Sequence, residues 1–405
     1  MHASTAALLA DAPDASVETA PPTPGTNDFA IWGNLEPVDL DLLKDRFPSL
    51  TIRQKPWGSE NSWKDQWLSA LAAGQRADLY VWEEADADWC SDLPLFADLT
   101  DPRFDSAALL GALTEQEMRL ARQPGTTTPT RIPQQTIPIL LLYSADLVSE
   151  VGLEADPEVF GRFIQNPDQW LDLLHRLKER GRYGVEWRDH LISAGSLFTT
   201  PFTGDFQWKY HLTRYEQVFE TLTATHAEGL VGNISIWDPS GKEALRNGKL
   251  AMFLAGPWIV DLLPEWVPDT SGSWRVTRMP LGLSGEWGTR WFGVGRETDH
   301  ADAAWSVVES ACVNYRNYLS AEALRPDPFF GNQRVIAMAL SLVRERETVR
   351  HTPLDAQVGE AFRTRLDSLY AGGVGAHDWL FETEEWIMNA YGEDIDRLKA
   401  LETAK

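Results

Sequence analysis

The sequence predicts an α/β protein, on three observations. Short apolar runs of four or five residues alternate with amphipathic segments of helical period through the first third of the chain, an order that suggests a parallel sheet. The chain has 405 residues, which sets a prior of two or three domains, and its 43% hydrophobic content is enough to fill real cores. No repeat of 20 to 50 residues is visible, which argues against a solenoid or propeller.

Residues 1–27 read as a flexible Pro- and Ala-rich tether: the stretch DAPDASVETAPPTPGTND has four prolines and four acids and no base, too little apolar surface to offset ordering entropy. Phe29 to Trp32 is then a short strand, 36–47 an amphipathic helix, and Leu50 to Gln54 a second strand. In the helix expected over 61–74, Trp63, Trp67, Ala70 and Leu71 share one face, and Asp78 to Trp82 is the third strand. A helix is expected over 107–122, followed by the loop GTTTPTRIPQQTIP as a domain crossing and a buried strand at Ile139 to Tyr143. Asn166 and Pro167 open a helix over 168–180 whose stripe is Trp170, Leu173, Leu174 and Leu177, and Gly181 ends it. Helices follow at 213–227 and 239–247, and strands at Leu250 to Leu254 and Trp274 to Met279. A helix over 301–319 turns Trp305, Val308, Cys312 and Tyr315 inward, and helices near 333–346, 355–370 and 384–400 close the chain.

Composition excludes several functions. With 36 Lys and Arg against 60 Asp and Glu the formal charge is −24, and no basic patch is present to neutralise a polyanion, so no nucleic-acid partner is expected. An anionic membrane surface is disfavoured for the same reason. The longest apolar stretch, Ile137 to Tyr143, is far below the 18 or so residues of a spanning helix. Met1 to Ala10 lack the basic start and long apolar core of a signal peptide, so either export was encoded in a removed segment or the protein stays inside, in the cytoplasm. Two cysteines, Cys90 and Cys312, read as buried thiols and leave a single bridge open. The eight histidines show no i, i+4 pair, and neither a phosphate-binding loop nor a nucleophile elbow occurs, so no metal, no cofactor and no catalytic residue is expected. A glycosidase needs only two separated carboxylates, which spacing cannot pick from 60 acids, so a carbohydrate hydrolase stays open.

Placement of the 18 tryptophans points to a ligand. Trp32, Trp57, Trp82, Trp258 and Trp291 fall where strands end or just beyond, the region where open α/β sheets bind ligands. An indole face suits the apolar face of a pyranose, and neighbouring carboxylates and amides accept from its hydroxyls; Asn34, Glu36, Glu60, Asn61, Glu83, Glu84 and Asp86 are such companions. The competing reading is core packing, which is preferred for Trp63, Trp67, Trp170, Trp305 and Trp386 on helical stripes. Acidic pockets also suit a cation, so a binder or sensor of a polyamine is a second alternative.

Four stretches, in this order, resemble one family: FAIWGN with its helix and LTIRQ; ADLYVWEEADADWCSDLPLFADLTD; IPQQTIPILLLYSADLVSEVGL with NPDQWLDLLHRLKERG; and GKEALRNGKLAMFLAGPWIV. The chain resembles the extracellular solute-binding proteins of ABC importers, family 1, the maltose-binding-protein-like class of type II periplasmic binding proteins. The resemblance implies two α/β lobes joined by a hinge and trapping ligand between them, with lobe 1 at 28–134 plus about 283–325 and lobe 2 at 135–282 plus about 326–405. It implies a saccharide-binding monomer, the ligand expected to be an oligosaccharide, that serves membrane permease subunits from an extracellular or periplasmic place, anchored where a removed segment provides for it. Carried over residue by residue, it puts Trp32, Asn34 and Glu36 after the first strand, Trp82, Glu83 and Asp86 after the third, Gln135 near the hinge, and Trp258 as a platform. Phe202, Asp205 and Trp208 match the second-lobe aromatic segment, and Arg334 a late crossing; Glu60 and Trp291 complete the expected ligand set. WFGVG at 291–295 follows the family's Gly-rich strand loosely, and beyond residue 345 the match is by helix count.

Overall fold

The structure is a computed structural model that describes residues 27–403 except 56–62, 84–92, 124–125, 135–137, 196–200, 203–206, 212, 286–288 and 346–353. The chain forms two compact units and passes between them at 136/137, 287/288 and 320/321. Unit 1 opens with β1 (Asp28–Trp32), α1 (Pro37–Arg46), β2 (Thr51–Lys55), α2 (Trp63–Ala72), β3 (Leu79–Glu83), α3 (Ala107–Gly111), α4 (Glu115–Ala121) and β4 (Ile132–Pro133). Unit 2 follows with β5 (Leu140–Ser144), α5 (Ala145–Glu150), α6 (Pro157–Phe163), α7 (Pro167–Glu179), α8 (His190–Ala194), α9 (Thr213–Ala227), α10 (Pro239–Arg246), β6 (Met252–Ala255), α11 (Ile259–Trp266) and β7 (Trp274–Thr277). β8 (Arg290–Val294) and most of α12 (Ala301–Glu322) belong to unit 1, and α13 (Val335–Glu345), α14 (Asp355–Tyr370) and α15 (Ala376–Thr403) to unit 2. No described helix is long and apolar enough to cross a membrane.

Unit 1 carries a five-stranded sheet in the order β2-β1-β3-β8-β4. The expected parallel pairing holds for β1 with β2 and β3, whereas β8 runs antiparallel to both its neighbours. Unit 2 has a three-stranded sheet, β6-β5-β7, and both of its pairings are antiparallel. Uniformly apolar strands such as LLLYS read alike in either direction, because burial on both faces sets composition while connection sets direction.

Local chemistry accounts for the helix ends. Asn166 caps α7 by accepting from the Gln169 amide at 3.1 Å, Pro167 occupies the first turn, and Gly181 takes the left-handed conformation after the last turn at φ +72°. Its stripe of Trp170, Leu173, Leu174 and Leu177 is buried as the spacing predicts. The single helix expected over 107–122 is instead two, because Thr114 and Glu117 form a reciprocal capping box that starts α4 afresh. Trp386, expected in a helical core stripe, is 41% exposed on α15, while Trp67, Trp170 and Trp305 are buried. The side chain of Trp63 lies outside the described residues.

Asp78 ties the unit 1 sheet together. Fully buried just before β3, it accepts from the Ala30 amide of β1 at 2.7 Å and from the Thr298 hydroxyl beyond β8. Burial raises its pKa, and those two hydrogen bonds partly hold it down. Asp78→Ala leaves both donors without an acceptor and is expected to cost on the order of 2 kcal/mol or more in urea unfolding. A loss below about 0.5 kcal/mol, the range of a neutral surface change, overturns this role.

Candidate functional site

In unit 1 the expected indole platforms lie inside the core. Trp32 is the last residue of β1 and packs against Trp67 and Tyr80, each with ring centroids 5.4 Å away. Trp82 of β3 stacks on Phe96 at 5.0 Å with planes 16° apart. Trp291 sits in β8 opposite Trp82, with the Arg131 guanidinium 5.5 Å from its ring centre. All three are buried, so the faces expected to meet a ligand are taken by neighbouring side chains. Glu60, Asp86 and Gln135, with Trp57, Asn61 and Glu84, lie outside the described residues, and Glu83 is described only as the end of β3.

What unit 1 does present is polar and lies in the turn after β1. Gly33 adopts φ +119°, and a Cβ there would stand 1.9 Å from the Val81 carbonyl oxygen of β3, so only glycine lets the chain turn this close to its neighbour. The turn leads to the partly exposed Asn34 and to Glu36, at the start of α1. Glu36 Oε1 accepts from Arg290 Nη1 at 2.8 Å, with the two side chains 20% and 11% exposed. One turn along α1, the buried Asp39 has its pKa raised to about 6, first by burial and second by Glu36, with Arg290 opposing. Cys312, also buried, is a free thiol pushed up to about 12 by burial; Cys90 lies outside the described residues.

In unit 2, Trp208 and Phe202 are core: Trp208 packs edge-on to Phe202 at 5.6 Å and to Tyr210 at 5.1 Å. Asp205 lies outside the described residues, and Arg334 is exposed immediately before α13. Trp258 differs from all of these. It stands three residues beyond the end of β6, remains partly exposed, and lays its indole over Gly256, where a Cβ would lie 2.4 Å from its Nε1. Sequence reading missed Trp237 beside it and Trp266 beyond Trp237. Trp237 lies 5.4 Å from Trp258 with planes 33° apart, and Trp266 lies edge-on to Trp237 at 5.5 Å. Two signals were present: Trp266 follows Trp258 by eight residues, which returns it to the same side of a helix, and Trp237 precedes the Asp-Pro pair that opens α10. Among the described residues no three His, Cys, Asp or Glu side chains gather as a metal ligand set.

Residues 48–311 match the family model of bacterial extracellular solute-binding proteins, and the chain belongs to that family. No curated protein sequence matches it. Among solved structures it is similar to an extracellular solute-binding protein of family 1, with a TM-score of 0.69 at 15% identity over 88% of this chain and 98% of that one. It is similar to the sugar-binding protein MalE of the phytopathogen Xanthomonas citri, with a TM-score of 0.68 at 14% identity over 91% and 98%. The galacto-N-biose-/lacto-N-biose I-binding protein of an ABC transporter from Bifidobacterium longum, in complex with lacto-N-biose, gives a TM-score of 0.67 at 15% identity over 91% and 99%. The fold is therefore the two-lobe type II periplasmic-binding-protein fold.

The Asp39 shift has a measurable consequence. A carboxyl whose pKa is higher in the folded than in the unfolded chain gives up stability as pH rises from about 4 to about 6, and the loss is complete above that window. Asp39→Asn is expected to raise stability at pH 7 by up to about 2–3 kcal/mol and to leave it unchanged below pH 4. Urea midpoints at pH 3.5, 5 and 7 test this, and a pH-independent difference overturns it.

Proposed function

We propose that this solute-binding protein captures a saccharide, of oligosaccharide size, and delivers it unaltered to the membrane permease subunits of an ABC-type importer. It works as a monomer outside the cytoplasmic membrane, takes no cofactor and does no chemistry on its cargo. The observation that carries the reading is Trp258: its indole is held at the carboxyl end of β6 by a glycine that leaves room for it, and part of it stays open. An indole face fixed in this way buries the apolar side of a sugar ring at small entropic cost, because the side chain is ordered before the ligand arrives.

In this reading Trp258 is the stacking platform of unit 2, and Asn34 and Glu36 are the ligand contacts proposed for unit 1. Glu60, Glu83, Asp86 and Gln135 remain proposed polar contacts. Trp32, Trp82 and Trp291 act as packing that keeps the unit 1 strands rigid, and Trp208 belongs to the core of unit 2. Sugar-binding relatives of the same fold support the cargo class: one carries lacto-N-biose in its structure, and another is a sugar-binding protein by name. Ligand binding shifts the open and closed populations only by its difference in affinity for the two, so contacts made in the closed state alone supply the switch.

Thermal shifts against glucose, galactose, maltose, maltotriose, lacto-N-biose, spermidine and a set of amino acids test the class, since a ligand confined to the native state raises the midpoint. Stabilisation by a di- or trisaccharide that is recovered intact is expected; stabilisation by spermidine alone, or release of monosaccharide, overturns the reading. Trp258→Ala is expected to weaken sugar binding at least tenfold while lowering the thermal midpoint less than Trp82→Ala, a core truncation worth about 3–5 kcal/mol. Equal losses of stability make Trp258 a core residue instead.

A further inference from the structure

The first turn of α11 fixes the backbone at Trp258: the Ile259 amide donates to the Gly256 carbonyl at 3.1 Å and the Asp261 amide to the Trp258 carbonyl at 3.3 Å. What remains free is the side chain, and an indole standing out from a turn samples several staggered rotamers unless neighbours hold it. Gly256 lies against one edge of the ring, where its missing Cβ makes room for Nε1. Trp237 meets one face: the ring centroids are 5.4 Å apart and the planes 33° apart, so the two indoles overlap instead of lying side by side. The exposure that Trp258 keeps therefore lies away from that contact.

Trp237 can back another ring because it is itself held. It is 42% exposed, yet the chain that leads to it is tied to residues 185 and 186 at successive points. The Gly232 amide donates to the Val185 carbonyl at 2.9 Å, the Ile234 amide to the Glu186 carbonyl at 3.0 Å, and the Ile236 amide to Oε1 of the buried Glu186 at 3.3 Å. Immediately after Trp237 the chain enters α10, whose Lys242 amide donates to the Asp238 carbonyl at 3.1 Å. Gly241 of α10 admits the loop closely: a Cβ there would lie 1.8 Å from the Ser235 carbonyl oxygen. Trp266 stands edge-on to Trp237 at 5.5 Å, and α10 fixes Trp266 in turn. The Arg246 guanidinium donates to the Trp266 carbonyl at 2.9 Å, and the Lys242 ammonium lies 4.6 Å from its ring centre.

We infer that Trp237 is a positioning residue for sugar capture: it covers one face of Trp258 and holds that indole ready, without touching the sugar itself. The inference rests on the saccharide reading above and adds the residue that orders its platform. A ring ordered beforehand loses less rotamer freedom when ligand arrives, so it binds any sugar more tightly. Trp237 therefore acts on monosaccharides and oligosaccharides alike, and acts only through Trp258.

Calorimetric titration of wild type, Trp237→Ala, Trp237→Phe, Trp258→Ala and the double variant Trp237→Ala/Trp258→Ala with glucose, galactose, maltose, maltotriose and lacto-N-biose tests it. Trp237→Ala is expected to weaken every sugar that the wild type binds by about three- to tenfold, the worth of one aromatic pair, and Trp237→Phe to restore most of the loss. In the Trp258→Ala background the same truncation is expected to change affinity by less than about twofold, because its effect runs through the ring already removed. Circular dichroism reads the pairing without ligand: the exciton contribution of two overlapping indoles is expected to vanish equally in Trp237→Ala and Trp258→Ala. Cooperative thermal unfolding of each variant establishes that it is folded. Wild-type affinity in Trp237→Ala, a loss confined to the longer sugars, or an additive loss in the double variant overturns this inference and leaves the saccharide reading standing. Wild type that binds none of these sugars overturns the saccharide reading, and this inference with it.

Discussion

Burial of the strands on both faces is the constraint on which the rest of the molecule depends. Every residue of β5 and β6 is buried, as are the last four of β1 and of β8, so strand side chains are consumed by packing whichever way they point. That explains why four tryptophans with similar sequence settings part company. Trp32 is paired into β1 with register partners on both sides, and Trp82 and Trp291 face each other across β3 and β8, whereas Trp258 has already left β6. A displacement of three residues along the chain separates a core indole from an accessible one.

The turns that do the presenting are held by glycines and by one buried acid. Gly33 and Gly256 serve the same end by different means: the first lets backbone approach backbone after β1, the second lets an indole fold over its own turn after β6. Glu186 does for the 234–237 loop what a strand partner does for a strand, supplying acceptors to amides that would otherwise be orphaned in a buried setting. Its remaining oxygen stands 2.8 Å from Nδ1 of the buried His190.

Much of this was legible in the sequence. The periodicity of 167–179 placed both the helix and its buried stripe, because cap chemistry and packing agree there. Strand existence followed from apolar runs; strand direction in unit 2 did not, since antiparallel pairing depends on connections that composition does not record. The T-x-x-E signature at 114–117 divides the segment 107–122, and the hydrophobic pattern alone hid that break. In the site, Asn34 and Glu36 were visible as polar residues just after an apolar strand. The pairing of Glu36 with Arg290 joins residues 254 positions apart, which no local pattern reveals. Trp237 was hidden for the same reason: its neighbours Trp258 and Trp266 reach it only once α10 and α11 are packed.

Charge tells the same story at larger scale. Sixty acids make the chain strongly anionic, and most of the carboxylates in ion pairs are exposed, many of them paired with an Arg or Lys three or four residues away on the same helix, an arrangement worth a few tenths of a kcal/mol. Those acids solvate the surface. Among the described residues four acids are buried, and each has a local task. Asp78 joins β1 to the turn after β8, Glu117 closes the cap of α4, Glu186 holds the loop that bears Trp237, and Asp39 lies against the Glu36–Arg290 pair. Asp39 alone of these has no hydrogen bond to its carboxyl among the described residues, and its proton is accordingly retained to about pH 6. A neutral Asp39 adds no charge beside the Glu36–Arg290 pair; an ionised one sets a second negative charge near Glu36, with the Arg290 guanidinium partly offsetting it.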